Sequence, residues 1–146
     1  MTDIEGIYII NNSGELIFQQ ENVDENSKSF DPNYLSNFFA TLETIAHKIG
    51  EDEVRIMDLG ENKFFLTKDK ITNIEFILKC NKNVKSKKVF QALTNIVNIF
   101  IQIFTGNFNS PEKIKERLMT NFIEEIKEVM GESAYINYNL DFFKPG

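Results

Sequence analysis

Apolar residues fill most of residues 4–10 (IEGIYII), with Ile7 and Ile9 on one side and Tyr8 and Ile10 on the other. A strand apolar on both sides is expected to lie in the interior of a sheet. Asn11-Asn12-Ser13-Gly14 follows, a tetrad that reverses a chain at little cost in positive φ, and predicts a hairpin. Its second arm, residues 15–20, alternates more and reads as an edge strand. Residues 21–29 are too polar to bury and read as a loop. Asp31-Pro32 supplies an N-cap and a first-turn proline, and Leu35, Phe38, Phe39, Leu42, Ile45, Ala46 and Ile49 recur every three or four positions up to Gly50. That spacing predicts a helix over 32–49 with one apolar stripe.

Three short β-type runs come next, over residues 54–59, 63–67 and 73–80, separated by Gly60-Glu61-Asn62 and Lys68-Asp69-Lys70. They predict an antiparallel meander, and the third, NIEFILKC, reads as a second interior strand. Over residues 85–104, Val89, Leu93, Ile96, Val97, Phe100 and Phe104 repeat helically. Phe90, Ile99, Ile101 and Ile103 widen that stripe beyond what one sheet face covers. Ser110-Pro111 opens a third helix carrying Ile114, Leu118, Phe122, Ile126 and Val129, which Gly131 ends. Short connections that avoid crossings then give an α+β fold (α/β in the broad sense) of order β-β-α-β-β-β-α-α. Its five-stranded antiparallel sheet has the first and fifth strands paired at the centre. The domain spans residues 1–130, and an aromatic tail occupies 131–146.

Composition narrows the function. The chain has 146 residues, 42% of them hydrophobic, which suits one domain with a modest core. A net charge of -6 argues against nucleic-acid binding, which needs a cationic footprint to displace counterions from phosphates. The single cysteine, Cys80, fits a reducing, cytoplasmic setting. Asp3 and Glu5 stand where a secretory leader would carry positive charge. The most apolar window, residues 96–104, is about half the ~20 residues a membrane-spanning helix needs.

Little in the chain suggests catalysis. His47, the only histidine, sits beside Lys48 near a helix C-terminus, where a cation is favourably placed, and lacks a nucleophile and an orienting acid. Cys80 lies in an apolar strand and reads as a buried, inert thiol. Glu51-Asp52-Glu53 lacks the ligand spacing and glycine of a calcium loop and reads as a solvated turn. No glycine-rich phosphate cradle is present, so the chain is not itself a GTPase, and no cofactor or metal is expected.

The hairpin IYIINNSGELIF, the helix NYLSNFFATLETIAHKIG, the strands VRIMDLGENKFFLTKD and IEFILKCNKN, and the helix VFQALTNIVNIFIQIF together resemble the longin or SNARE-like fold. The likeness is to the small stand-alone, roadblock-related proteins of archaea and eukaryotic vesicle trafficking, of profilin-like architecture. It covers roughly residues 4–130. The polar loop over 21–29 and the tail depart from the common pattern. The resemblance implies a non-catalytic platform that binds a small Ras-like GTPase or another trafficking protein, and that often forms a homodimer. A PAS-like small-molecule sensor shares the sheet order and opens with a similar hairpin. There, several short helices normally separate the second and third strands, so the single eighteen-residue helix favours the longin reading.

Candidate contact residues follow from these patterns. Leu16 and Phe18 lie on the expected edge strand, which a second chain could extend. Phe90 and Ile101 lie at one margin of the wide helical stripe. Tyr135, Tyr138, Phe142 and Phe143 give the tail the aromatic richness of interface anchors. Lys82, Lys85, Lys87 and Lys88 form a basic run without acids, suited to an acidic protein surface or to peripheral association with anionic lipid. Three of the four fall where the helix dipole disfavours cations by up to about 1 kcal/mol each.

Overall fold

The computed structural model describes residues 4–11, 13–22, 55–58, 60, 62–130 and 135–140. The helix expected over 32–49, the loop over 21–29 beyond Asn22, His47, the acidic turn at 51–53, Phe142 and Phe143 lie outside the described residues. The described chain is α+β: strands β1 (Ile4–Ile10), β2 (Leu16–Glu21), β3 (Arg55–Asp58), β4 (Asn62–Lys68) and β5 (Glu75–Asn81), helices α1 (Ser86–Phe104) and α2 (Glu112–Met130), then strand β6 (Tyr135–Tyr138).

All pairings are antiparallel, in the order β3-β4-β5-β1-β2-β6. As the apolar pattern predicts, β1 and β5 pair at the centre, with Ile7 opposite Leu78 and Ile9 opposite Phe76. Two expectations are corrected. The sheet has six strands rather than five, and β2 is an interior strand rather than an edge. The tail segment Tyr135–Tyr138 pairs along its outer side, with Tyr138 opposite Phe18 and Ile136 opposite Gln20. The place proposed for a second chain at Leu16 and Phe18 is therefore taken by the chain's own C-terminal strand.

Local chemistry makes the turns. Asn11 accepts backbone N–H bonds on its side-chain oxygen from Ser13 (3.0 Å) and Glu15 (2.9 Å), and Gly14 takes a φ of 83°. Between β4 and β5, Asp69 accepts from both the backbone and the hydroxyl of Thr72, at 2.8 and 2.7 Å. These Asx-type bonds satisfy donors that the sheet ladder leaves over.

Both helices pack on one face of the sheet. Val89, Leu93, Ile96, Phe100 and Phe104 of α1 are buried, together with Met119, Phe122 and Ile126 of α2, against Ile7, Ile9, Phe18, Phe65, Phe76 and Leu78. An aromatic relay ties the layers together. Phe76 meets Phe100 edge-on at 5.4 Å, Phe100 meets Phe122 at 5.3 Å, and Phe122 meets Phe18 at 5.3 Å. Such contacts add about 0.5–1.5 kcal/mol each beyond the area they bury.

The buried seam of α2 differs from the expected stripe. Ile114 is exposed, whereas Lys115 and Met119 are buried. The difference is confined to the first half of the helix, since Phe122 and Ile126 are buried as the stripe predicts. At Lys115 a lysine stem can line a core while its amine reaches a polar partner.

Candidate interaction surfaces

The excess apolar width of α1 is divided between two margins. Toward α2, Ile99 and Ile103 are half-buried and share a groove of about 550 Å³ with Gln102, Asn121, Glu124 and Glu125. Toward β3, Phe90 stacks edge-on against Phe65 at 5.7 Å and keeps 37% of its surface exposed. Phe65 pairs across the strands with Ile56, itself 46% exposed, so Ile56 and Phe90 flank one buried ring at the sheet margin. Ile101 is half-buried and packs on the core cluster.

A second apolar margin lies at the opposite side of the sheet. Ile136 and Tyr138 of β6 are 39% and 37% exposed beside Gln20 and Phe18. Phe18 is fully buried and Leu16 half-buried, so neither is a free contact residue. Tyr138 is the tail residue of the expected set that the structure places at the surface. Tyr135 shares its strand, opposite Glu21. Sequence reasoning missed Ile56 and Ile136. Both sit in four-residue edge strands, too short for alternation to reveal which side faces out.

The basic run is displayed as expected. Lys82, Lys85, Lys87 and Lys88 are all exposed. Val84 is buried and pins the turn that projects them, with its N–H donating to Asn81 O at 3.1 Å. Lys85 occupies the N-cap of α1 in an extended conformation, without a side-chain capping bond, and no acid lies in the first turn.

The reverse face of the sheet carries its own apolar cluster of Tyr8, Ile10, Phe64, Leu66 and Ile77. Within it sits a polar trio. The Tyr8 hydroxyl donates to Glu21 Oε2 at 3.1 Å, and the Gln19 amide donates to Glu21 Oε1. All three side chains are buried. Burial, followed by the neighbouring Glu21 carboxylate, pushes the Tyr8 phenol well above its ordinary range. Gly6 makes room for this arrangement, because a Cβ there would stand 2.8 Å from Tyr8 Oη and 3.1 Å from its Cζ. Sequence reasoning missed the trio, since it ends the strand at Gln20 and opens a solvated loop at Glu21, whereas Glu21 lies in β2 and is buried.

Cys80 is a fully buried cysteine. Among the described residues, no three or more His, Cys, Asp or Glu side chains gather in a way that could hold a metal ion, and no helix is long and apolar enough to cross a membrane. Compared with known proteins, the chain matches no family model and no curated sequence.

Proposed function

We propose that this chain is a non-catalytic, longin-like interaction module whose partner is a small Ras-like GTPase or a membrane-trafficking scaffold built around one. The observation that carries the reading is the pair Ile56 and Phe90, two large, partly exposed apolar side chains on either side of Phe65 of β4, Ile56 from the outer strand β3 and Phe90 from α1. An outer strand with apolar side chains beside it offers main-chain pairing and side-chain anchors together. Ile101 and Tyr138 extend the set of candidate contacts. The antiparallel sheet centred on β1 and β5, with its helices α1 and α2 on one face, supports the longin-like architecture. A second copy of the chain is an alternative occupant of the β3 margin.

Capture from native lysate, with and without a non-hydrolysable GTP analogue, tests the proposal. Recovery of a Ras-like protein that depends on the analogue supports it, and recovery indifferent to nucleotide argues against it. Light scattering at tens of micromolar separates out the homodimer.

The second reading, a PAS-like sensor of a small molecule, draws on the buried Tyr8, Gln19 and Glu21 trio, since convergent polar groups in an apolar setting are what a ligand site needs. A small molecule recovered by mass spectrometry from purified protein would favour it.

A further inference from the structure

Charge is segregated along this chain. Its net charge is -6, yet residues 76–111 contain no aspartate or glutamate and begin with Lys79, Lys82, Lys85, Lys87 and Lys88. The last four are exposed at one end of the molecule, on the pinned turn after β5 and on the first turn of α1. Lys87 is followed one helical turn later by the partly exposed Phe90. Beyond these, the outward positions Gln91, Thr94, Asn95 and Asn98 of α1 are uncharged.

We propose that this end of the molecule docks on an anionic lipid bilayer, with the four lysines over the headgroups and Phe90 at the interfacial level. Three features favour a bilayer over an acidic protein. The patch is made of lysine alone, a mobile point charge suited to a diffuse field, whereas fixed carboxylate pairing favours the arginine fork. The lysines spread over a projecting turn and helix start rather than lining a cleft. An aromatic ring beside them suits the interfacial layer, where amphipathic and aromatic side chains settle. The overall negative charge does not prevent this, because fields decay over about 8 Å at physiological salt and the surface senses mainly the lysines nearest to it. Each lysine near such a surface contributes about fivefold in affinity. This docking does not depend on the GTPase reading, and the two are tested with different binding targets.

Co-sedimentation of the full chain with phosphatidylcholine vesicles, with and without 30 mol% phosphatidylserine, tests the proposal. Binding is expected only with phosphatidylserine, and it should fall as salt rises. Replacing Lys82, Lys85, Lys87 and Lys88 together by Gln should weaken it at least a hundredfold, with far-UV circular dichroism unchanged. Phe90→Ser should weaken it further than charge alone explains. No sedimentation with phosphatidylserine vesicles in 50 mM salt overturns the proposal. Equal binding to neutral vesicles, or a folded quadruple variant that binds like the parent, overturns it as well. Because the salt dependence is read on the unmodified chain, the proposal stays testable even if the quadruple variant misfolds.

Discussion

The two faces of the sheet are built on different principles. The helix-covered face is apolar almost throughout and interlocked by the rings of Phe18, Phe76, Phe100 and Phe122. Among the described residues, the reverse face has a smaller apolar cluster and places beside it a buried hydroxyl, amide and carboxyl group that bond to one another. The first face gains stability from area and close packing, so truncation there should cost in proportion to the volume lost. The second depends on each polar group keeping its partner, since a buried group deprived of one costs its full desolvation. The difference separates a permissive scaffold from a site that tolerates little chemical change.

The strongest way to break the comparison is at the relay. Phe100 touches both the sheet and α2, so Phe100→Ala should lower unfolding free energy by about 3–5 kcal/mol, measured by urea titration. A loss below 1 kcal/mol would mean that the rings do not interlock the layers. The first half of the α2 seam, where Lys115 and Met119 are buried and Ile114 is not, gives the next test. Met119→Ala should cost about 2–5 kcal/mol, whereas Ile114→Ala should stay within about 0.5 kcal/mol. The reverse ranking would restore the stripe that apolar spacing alone suggests.

On the other face, Tyr8→Phe keeps the ring and removes one donor to Glu21. A cost of about 1.5–3 kcal/mol is expected at neutral pH, well above what loss of an exposed hydroxyl would produce. The same substitution sharpens the pH dependence. Folding favours the protonated phenol of Tyr8, so its contribution is complete below the unfolded value near 10 and is lost as pH climbs above that. Stability of the parent should therefore fall more steeply above pH 10 than that of Tyr8→Phe. Gly6→Ala is the smallest change. Its Cβ would displace the Tyr8 hydroxyl, for a cost of about 1–3 kcal/mol that should shrink in a Tyr8→Phe background without vanishing, because the ring carbon Cζ at 3.1 Å remains.

Legibility in the sequence divides along the same line. Runs apolar on both sides, such as residues 4–10 and 74–80, identify the central strands because only an interior position buries both faces. The wide stripe of α1 likewise leaves one packing solution, and its buried residues are those the spacing marks. The α2 stripe is narrow, so Lys115 and Ile114 could exchange roles with little change in pattern. The strand β6 carries only YINY, too little alternation to stand out, and its pairing with β2 depends on where α2 delivers the chain. The polar trio was illegible for a related reason. Gln19 reads as an edge residue and Glu21 as the start of a solvated loop until β6 is found beside them. Of the candidate contacts, Phe90 and the four lysines were legible from local pattern, whereas Ile56 acquires its meaning only once its pairing with Phe65, the ring that Phe90 stacks on, is known.

The central claim is that the molecule acts through contact area, concentrated where Ile56 and Phe90 flank Phe65. The most direct test compares the parent with the Ile56→Glu, Phe90→Glu double variant in GTP-analogue-dependent capture of a Ras-like protein, with thermal unfolding measured on both. The account predicts capture by the parent and its loss in a variant that remains folded. Undiminished capture by the folded variant, or no nucleotide-dependent capture by the parent, would contradict it.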